Sequence, residues 1–372
     1  MSESRTTLAA EIAAELEVHL AEAARELAGK LHRSQQFQRM LRLYRLVRPY
    51  TLPEYEMNML DMTGIAGAAS TLPAFGGLLY GISIHAHRLK LAQRTILDAS
   101  EEVRVHVGDL DFYEYLKRLR WKLIQHMYQS LDEIVRTPNS PQLILLSLPL
   151  LVAREEAGNR EQVEPVQEEW EAMLQAINSF WAQHLDHIVP FNPAGIWIAS
   201  LQPSSAWPLF VALRNNPHTS PDETSDDLAA YIEREWVGLR QMGMSRLLDH
   251  LLTPQTRTIA YSVEDLGLDP RWQPKELQHS GILGFSLRAR ISAPIWQVQV
   301  AGHRTQWTSA MLDHLAATIT QATIIEGEEA EPLPLWYAKQ LATFPPAMLK
   351  LFRELAREQI DKEAGGVRQP EA

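Results

Sequence analysis

Asp61 closes the short apolar run "MNMLD". A carboxylate at the end of a buried strand meets both a rigid scaffold and solvent, which is what a divalent-metal ligand needs. Hydrolysis by two metal ions would require further carboxylates from neighbouring strands and a helix, so Asp61 is one corner of such a site at most. The same residue also reads as an acid capping the turn before Thr63. His85 and His87 stand two apart in the strand-like stretch "YGISIHAHRL". They should share one face of it, but a metal needs a third ligand from elsewhere, which the sequence does not identify. Arg88, Lys90 and Arg94 beside them make phosphate contact an alternative reading. His184-x-x-His187 lacks the glutamate that a helical zinc-protease motif places between its histidines. Arg39, Arg42, Arg45 and Arg48 recur every three residues and are candidate DNA contacts, with a solvated helix face as the bland alternative. There is no P-loop, no Gly-x-Gly-x-x-Gly and no Gly-x-Ser-x-Gly, which argues against ATP hydrolysis and a serine nucleophile.

The 372 residues, 45% of them hydrophobic, suffice for one large α/β domain with additions or for two smaller ones. The absence of cysteine removes disulfides, thiolate metal sites and a cysteine nucleophile, and fits a cytoplasmic protein. Glutamates interrupt the N-terminal stretch, so it reads as neither signal peptide nor membrane span, and a soluble chain is expected. A net charge of −11 argues against a general nucleic-acid coat. The charge is uneven, however. Acids cluster in "REEAGNREQVEPVQEEWE", "SPDETSDD" and "EGEEAEP", which read as surface or linker, while bases cluster in "GKLHRSQQFQRMLRLYRLVRPY" and "YLKRLRWKLIQH".

These residues need elements to position them. Periodicity predicts helices over 6–30 and 34–48, the second ended by Pro49 and Pro53. A short strand at 57–61 is expected next, then a flexible Gly/Ala/Ser-rich connection and a strand at about 77–90. A further β run fits 92–98 or 103–107. Asp109 or Asp111 could cap a helix from about 110 to 135, with an apolar stripe from Phe112 and Leu116 to Ile134. "QLILLSLPLLV" and "AGIWIASL" are apolar without alternation and read as buried strands, with a helix at 165–187 between them. A short helix at "SSAWPLFVALR", a loop at "SPDETSDD" and a helix at 227–252 follow. The hairpin "ILGFSLRARI"/"IWQVQV" comes next, then helices at 308–325, 334–343 and 346–361. The alternation argues for an α/β fold with a mixed sheet flanked by helices.

Over about residues 50–360 the order of segments resembles the NurA nuclease family, in which the core strand ends in Asp-Gly-Ser. "MLDMTGI" takes that place here, and "LLYGISIHAHRLKL", "LKRLRWKLIQHM" and "QLILLSLPLLV" are similar to the segments that follow. Downstream, "NPAGIWIASLQPSSAWPLFVALR", "LLDHLLTPQTRTIAYSV", "GILGFSLRARISAPIWQVQV" and "PLPLWYAKQLATFPPAMLKLFREL" continue the likeness. The resemblance implies a ribonuclease H-like mixed sheet over 51–361, preceded by an N-terminal helical extension (1–50) and followed by a frayed tail (362–372). It also implies a homodimer working on DNA ends with a HerA-type hexameric ATPase, using Mn²⁺ or Mg²⁺, with Asp61 as catalytic residue and metal ligand.

The departures matter as much. Where the family's helix supplies Glu, this chain has Ile124-Gln125-His126. The second Asp is replaced by Ser147, and the closing helix carries Gln340-Leu341 where a His is usual. One carboxylate cannot hold two divalent ions. Two expectations stay open: a degenerate site with no cofactor, or a shifted register in which Asp132 or Glu133 substitutes.

Overall fold

The computed structural model describes residues 3–52, 59–92, 95–150, 164–188, 195–203, 207–216, 220–242, 244–266, 282–302, 307–324 and 330–366. Sequence expectations for 57–58, Arg94, most of the first acidic cluster, much of "EGEEAEP" and the last six residues lie outside these.

One helix, α1 (Glu3–Leu43), spans the two helices expected from the sequence. Its single interior glycine, Gly29, costs about 1 kcal/mol of helix propensity, too little to break it. The helix stops before Pro49. Arg45 takes a left-handed φ of 58°, and the Leu46 and Arg45 amides donate to the Leu41 and Arg42 carbonyls. Leu41 and Leu46 are both buried, completing a Schellman-type cap. The chain then extends into β1 (Val47–Pro49), so Arg48 lies on a strand.

A three-stranded antiparallel meander follows: β2 (Leu60–Ala74), β3 (Gly77–Ala92) and β4 (Thr95–Leu110). The Gly/Ala/Ser segment is therefore strand interior and not a flexible connection. The turn is at Phe75-Gly76, with φ of 52° and 81°, as a two-residue type I′ hairpin requires. The β run expected at either 92–98 or 103–107 is β4, which takes in 95–98 and 103–107 together.

Helix α2 (Tyr115–Arg136) starts later than expected, so Phe112 and Leu116 are exposed and outside its buried stripe. Asp109 belongs to β4, and Asp111 accepts from the Tyr113 amide. The chain continues through β5 (Leu143–Leu146), α3 (Glu164–His184), β6 (Trp197–Pro203) and α4 (Trp207–Asn215). The helix expected over 227–252 is two, α5 (Asp226–Gln241) and α6 (Met244–Leu251). Then come β7 (Thr256–Thr258), β8 (Tyr261–Ser262), the expected hairpin β9 (Ile282–Arg288)–β10 (Trp296–Ala301), α7 (Ser309–Ala322), α8 (Leu333–Leu341) and α9 (Pro346–Gly366).

The sheet runs β1-β7-β9-β10-β6-β5-β2-β3-β4, with β8 paired to β9. β5 is parallel to β2, and β6 to β5. The five strands β4-β3-β2-β5-β6, an antiparallel meander joined to two parallel strands, form the ribonuclease H-like arrangement within a larger mixed sheet. One face buries Ile65, Ile82 and Ile84 of the meander against Ile124, Met127 and Leu131 of α2, with Trp181 of α3 and Leu41 of α1 in the same core. The other face buries Met62, Leu145 and Phe285 with Leu315 of α7 and Leu335 of α8. Arg118, buried on α2, donates to Glu169 at 2.6 Å and to Asp111 at 2.7 Å, tying α3 and the β4–α2 corner together. Among the described residues no helix is long and apolar enough to cross a membrane.

Small residues on β2 and β3 let helix α8 and the Phe344 turn after it lie directly on the sheet. A Cβ on Gly64 would sit 2.3 Å from the Pro334 carbonyl carbon, and one on Gly81 would sit 2.4 Å from the Phe344 ring. Ala66 packs with Ala338 and Ala342 in the same lane. Close approach, and not flexibility, explains this composition.

Candidate functional site

Asp61 lies near the start of β2, because the strand continues thirteen residues beyond it to Ala74. Its carbonyl accepts from the Gln142 amide at 2.9 Å, just ahead of β5. It is thus level with the amino end of the parallel pair. The carboxyl end, where open α/β sheets bind ligands, is level with Ile65, which pairs with Leu146 and accepts from the Ser147 amide. Four residues of strand separate the two levels, roughly 13 Å.

The Asp61 carboxylate is taken by Arg88 of β3 in a two-pronged bond, Nε to Oδ1 at 2.7 Å and Nη2 to Oδ2 at 2.6 Å. The antiparallel register explains this: Thr63 faces Arg88, and Asp61 is two residues away on the same side. The planar guanidinium matches both oxygens, so the site is filled from within the chain. Replacing Asp61 by Ala should lower stability by about 1–2 kcal/mol, between the values for exposed and buried pairs, because 13% of the Asp61 side chain and 23% of Arg88 remain accessible. Urea unfolding of the two proteins measures the difference.

At the carboxyl end of the parallel strands, β2 offers Ile65, Ala66 and Gly67. Ile65 and Ala66 are buried, and Ala66 is covered by α8. Ser200 of β6 donates to the Leu148 carbonyl at 2.6 Å. Gln125 lines a groove between α2 and α3, and Gln340 is exposed on α8. Neither substitute acid is free. Asp132 bonds His184 Nε2 at 2.6 Å and Arg136 at 3.0 Å, while Glu133 pairs with Arg104 of β4. One turns towards α3 and the other towards the sheet edge.

His85 and His87 share a strand face, as expected. His85 Nδ1 is 3.3 Å from a Glu101 oxygen. His87 stacks on Tyr337 of α8 at 4.8 Å, and burial holds its imidazole below the ordinary histidine range. Among the described residues no group of three or more His, Asp or Glu is placed to hold a metal ion.

The four arginines do not form the helical stripe expected from their spacing, because α1 ends at Leu43. Arg42 donates to the His250 carbonyl at 2.8 Å and so caps the end of α6. Arg48 Nε lies 3.4 Å from Asp222. Arg45 is 4.0 Å from Glu223, and both are largely exposed. Arg39 lines a shallow groove with Gln35 and Gln38.

Sequence reasoning missed the most buried charge. Asp222, assigned to a surface loop, is fully buried and receives two bonds from Arg257, at 2.8 and 2.9 Å, plus the Ala260 amide at 2.8 Å. Nothing local in "SPDETSDD" signals this, since the partner stands 35 residues away.

No protein-family model matches the chain, and no curated protein matches it significantly. Solved structures do. The NurA nuclease from Sulfolobus solfataricus superposes with a TM-score of 0.55 at 10% identity, over 94% of this chain and 98% of that one. NurA bound to dAMP and manganese gives 0.47 at 8%, over 89% and 94%. The catalytic domain of human Endonuclease V gives 0.32 at 11%, over 90% and 97%. Identities this low speak to architecture and not to chemistry, and the first of these likenesses establishes that this chain has a NurA-like fold.

Proposed function

We propose that this chain is a NurA-like subunit of a DNA end-processing machine driven by a HerA-type hexameric ATPase, and that its own nuclease centre is lost. One observation carries the second part. The β2 positions level with the carboxyl ends of the parallel strands are Ile65, Ala66 and Gly67, and the acid of the strand, Asp61, is clamped by Arg88. Two-metal hydrolysis needs several oxygen ligands to replace hydration water, and Mg²⁺ gives up its water reluctantly. These residues do not fit a pair of Mn²⁺ or Mg²⁺ ions. No hydrolytic step is therefore assigned to the chain. Its role is that of an adaptor that holds DNA or the translocase while a partner cuts. Of the four arginines considered for DNA contact, Arg39 and Arg45 are exposed and are the ones assigned to phosphate contact.

The test is digestion of linear DNA with Mn²⁺, with and without a HerA-type ATPase from the same genome. The expected result is retention on the ATPase and no cleavage by this chain in either condition. Metal-dependent cleavage that disappears in Asp61→Ala would show an active site and overturn the adaptor reading. Failure to bind the ATPase would remove the partnership.

A further inference from the structure

Strand β4 and helix α2 face each other at the edge of the sheet with matched polar rows. The strand's period of two turns Glu102, Arg104 and His106 to the side of Ile82 and Ile84, the side that α2 covers. On α2, Lys122, His126, Gln129 and Glu133 fall within an arc of roughly 60°. Two contacts align the rows. Arg104 is held by Glu102, at 2.8 Å, and by Glu133. The His106 and His126 rings meet with centroids 4.2 Å apart and planes tilted by 37°. Both imidazoles line an open cleft of about 340 Å³ with Arg104 and Gln129. This cleft is not the Asp61 corner. Ile82, opposite His106, pairs on its other side with Ala69 of β2, and the eight residues from 61 to 69 span roughly 26 Å of strand.

The pair has the chemistry of metal ligands. Neutral imidazole is the donor that suits Zn²⁺, Ni²⁺ and Cu²⁺. His126 Nδ1 donates to the Gln129 Oε1 at 2.9 Å. A ligating histidine commonly spends its second ring nitrogen on such an oxygen, which fixes the tautomer and leaves Nε2 with its lone pair. Among the described residues neither ring nitrogen of His106 has a hydrogen-bond partner. Burial holds both imidazoles below the ordinary histidine range, which favours the uncharged form that binds metal. Two imidazoles on one ion, each about 2.1 Å from it, have centroids about 4.5–5.5 Å apart, so the pair must open by less than roughly 1.5 Å. His106 is exposed at the sheet edge, and rotation of its side chain supplies that. The neighbouring cations do not oppose an ion. Arg104 is outweighed by its two carboxylates, and Lys122 is paired with Glu169 at 3.1 Å.

We infer that His106 and His126 form a binding site for a divalent transition ion of the Zn²⁺, Ni²⁺ and Cu²⁺ class, which ties the edge strand β4 to α2. Two protein ligands leave the other positions of the ion to water or to a donor from outside the chain. The inference goes beyond the proposed function and is tested on the protein alone, with neither DNA nor ATPase, so the two can fail separately. The chain has no cysteine, so no thiolate competes for the ion. Titration calorimetry with Zn²⁺ should show micromolar binding. Gln129→Ala should raise the dissociation constant roughly 10-fold, and His106→Ala or His126→Ala should each raise it by more than roughly 100-fold, the upper range for a merely supporting residue. His32→Ala, on the exposed part of α1, should leave it unchanged. Mg²⁺, which takes oxygen ligands, should not compete. Cu²⁺ in place of Zn²⁺ should give an electron paramagnetic resonance spectrum with couplings to two nitrogens, reduced to one in either histidine variant. Saturating Zn²⁺ should raise the midpoint of thermal unfolding of the wild type and not that of His106→Ala. Absence of Zn²⁺ binding, affinity that survives loss of either histidine, or equal affinity for Mg²⁺ would each overturn the inference. His106 is exposed, so His106→Ala should match the metal-free wild type in circular dichroism, and it decides the question even if His126→Ala fails to fold.

Discussion

Arg257→Ala is expected to destabilise the protein by about 3–5 kcal/mol, the usual cost of leaving a buried charge without its partner. Arg257 and Asp222 both have fully buried side chains. The guanidinium also bonds Asp313 at 2.6 Å, the Thr258 carbonyl at 3.0 Å and the Ser309 hydroxyl at 3.2 Å. The network joins β7, α7 and the 220 loop, three elements that have no other charged link of this depth among the described residues. Removing the arginine strands Asp222 and frees Asp313, and among the described residues Arg48, at 3.4 Å, is the cation near enough to compensate in part. A double change, Arg257→Met with Asp222→Leu, removes both charges together and should cost less than the sum of the single changes by at least about 1 kcal/mol. Urea unfolding of the four proteins measures that coupling.

The same pair sets an acid sensitivity. Burial alone would raise the Asp222 pKa, but the Arg257 bonds, the Ser309 hydroxyl and the Ala260 amide outweigh it and hold the carboxyl below its ordinary value. A carboxylate depressed in the folded state binds its proton more readily when unfolded. Its stabilisation is therefore complete above the ordinary carboxylate range and is lost as pH falls through that range towards the depressed value. The Asp222→Leu, Arg257→Met protein should lose less stability than wild type on acidification. An unchanged acid slope would assign the sensitivity to other carboxylates.

Gly64→Val is expected to cost about 3 kcal/mol or more, at the upper end for overpacking, because what the new side chain meets cannot rotate away. Its Cβ would lie 2.3 Å from the Pro334 carbonyl carbon and oxygen and 2.4 Å from the Leu335 amide nitrogen, all backbone. Helix α8 would have to lift off β2, pulling Leu333 and Leu335 from the core they share with Met62 and Leu145. Two other glycines act as controls. At Gly81 the obstacle is the Phe344 ring, a side chain that can shift, so Gly81→Ala should cost less, about 1–2 kcal/mol. At Gly29 nothing lies within 4 Å, and Gly29→Ala in the exposed helix should stabilise by about 0.5–1 kcal/mol. Thermal unfolding of the three variants checks this order. Equal losses at Gly64 and Gly81 would mean that α8 is free to move.

Element types were largely legible where local pattern and burial agree. The β9–β10 hairpin, the buried strands β5 and β6, and the closing helices α7, α8 and α9 lie where periodicity places them. The failures share a cause. Gly64 to Ser70 has the composition of a loop, yet it forms strand because α8 covers its small residues on one face and α2 on the other, and burial in a sheet overrides propensity. Asp61 read as the end of a strand because the apolar run before it is short. The strand extends the other way, and only pairing with β5 reveals which end of the parallel strands the residue occupies.

The sequence alone determined the α/β class, the absence of any thiol chemistry and the uneven spread of charge, since these follow from composition and from periods of two or three to four residues. The tertiary structure decided where Asp61 points, that Arg88 holds it, that Asp222 is buried, and that Ala66 stands level with the carboxyl ends of the parallel strands. Those facts depend on strand register and on contacts between residues tens of positions apart, and a shift of one residue in register would turn Asp61 and Ala66 to the opposite face of the sheet.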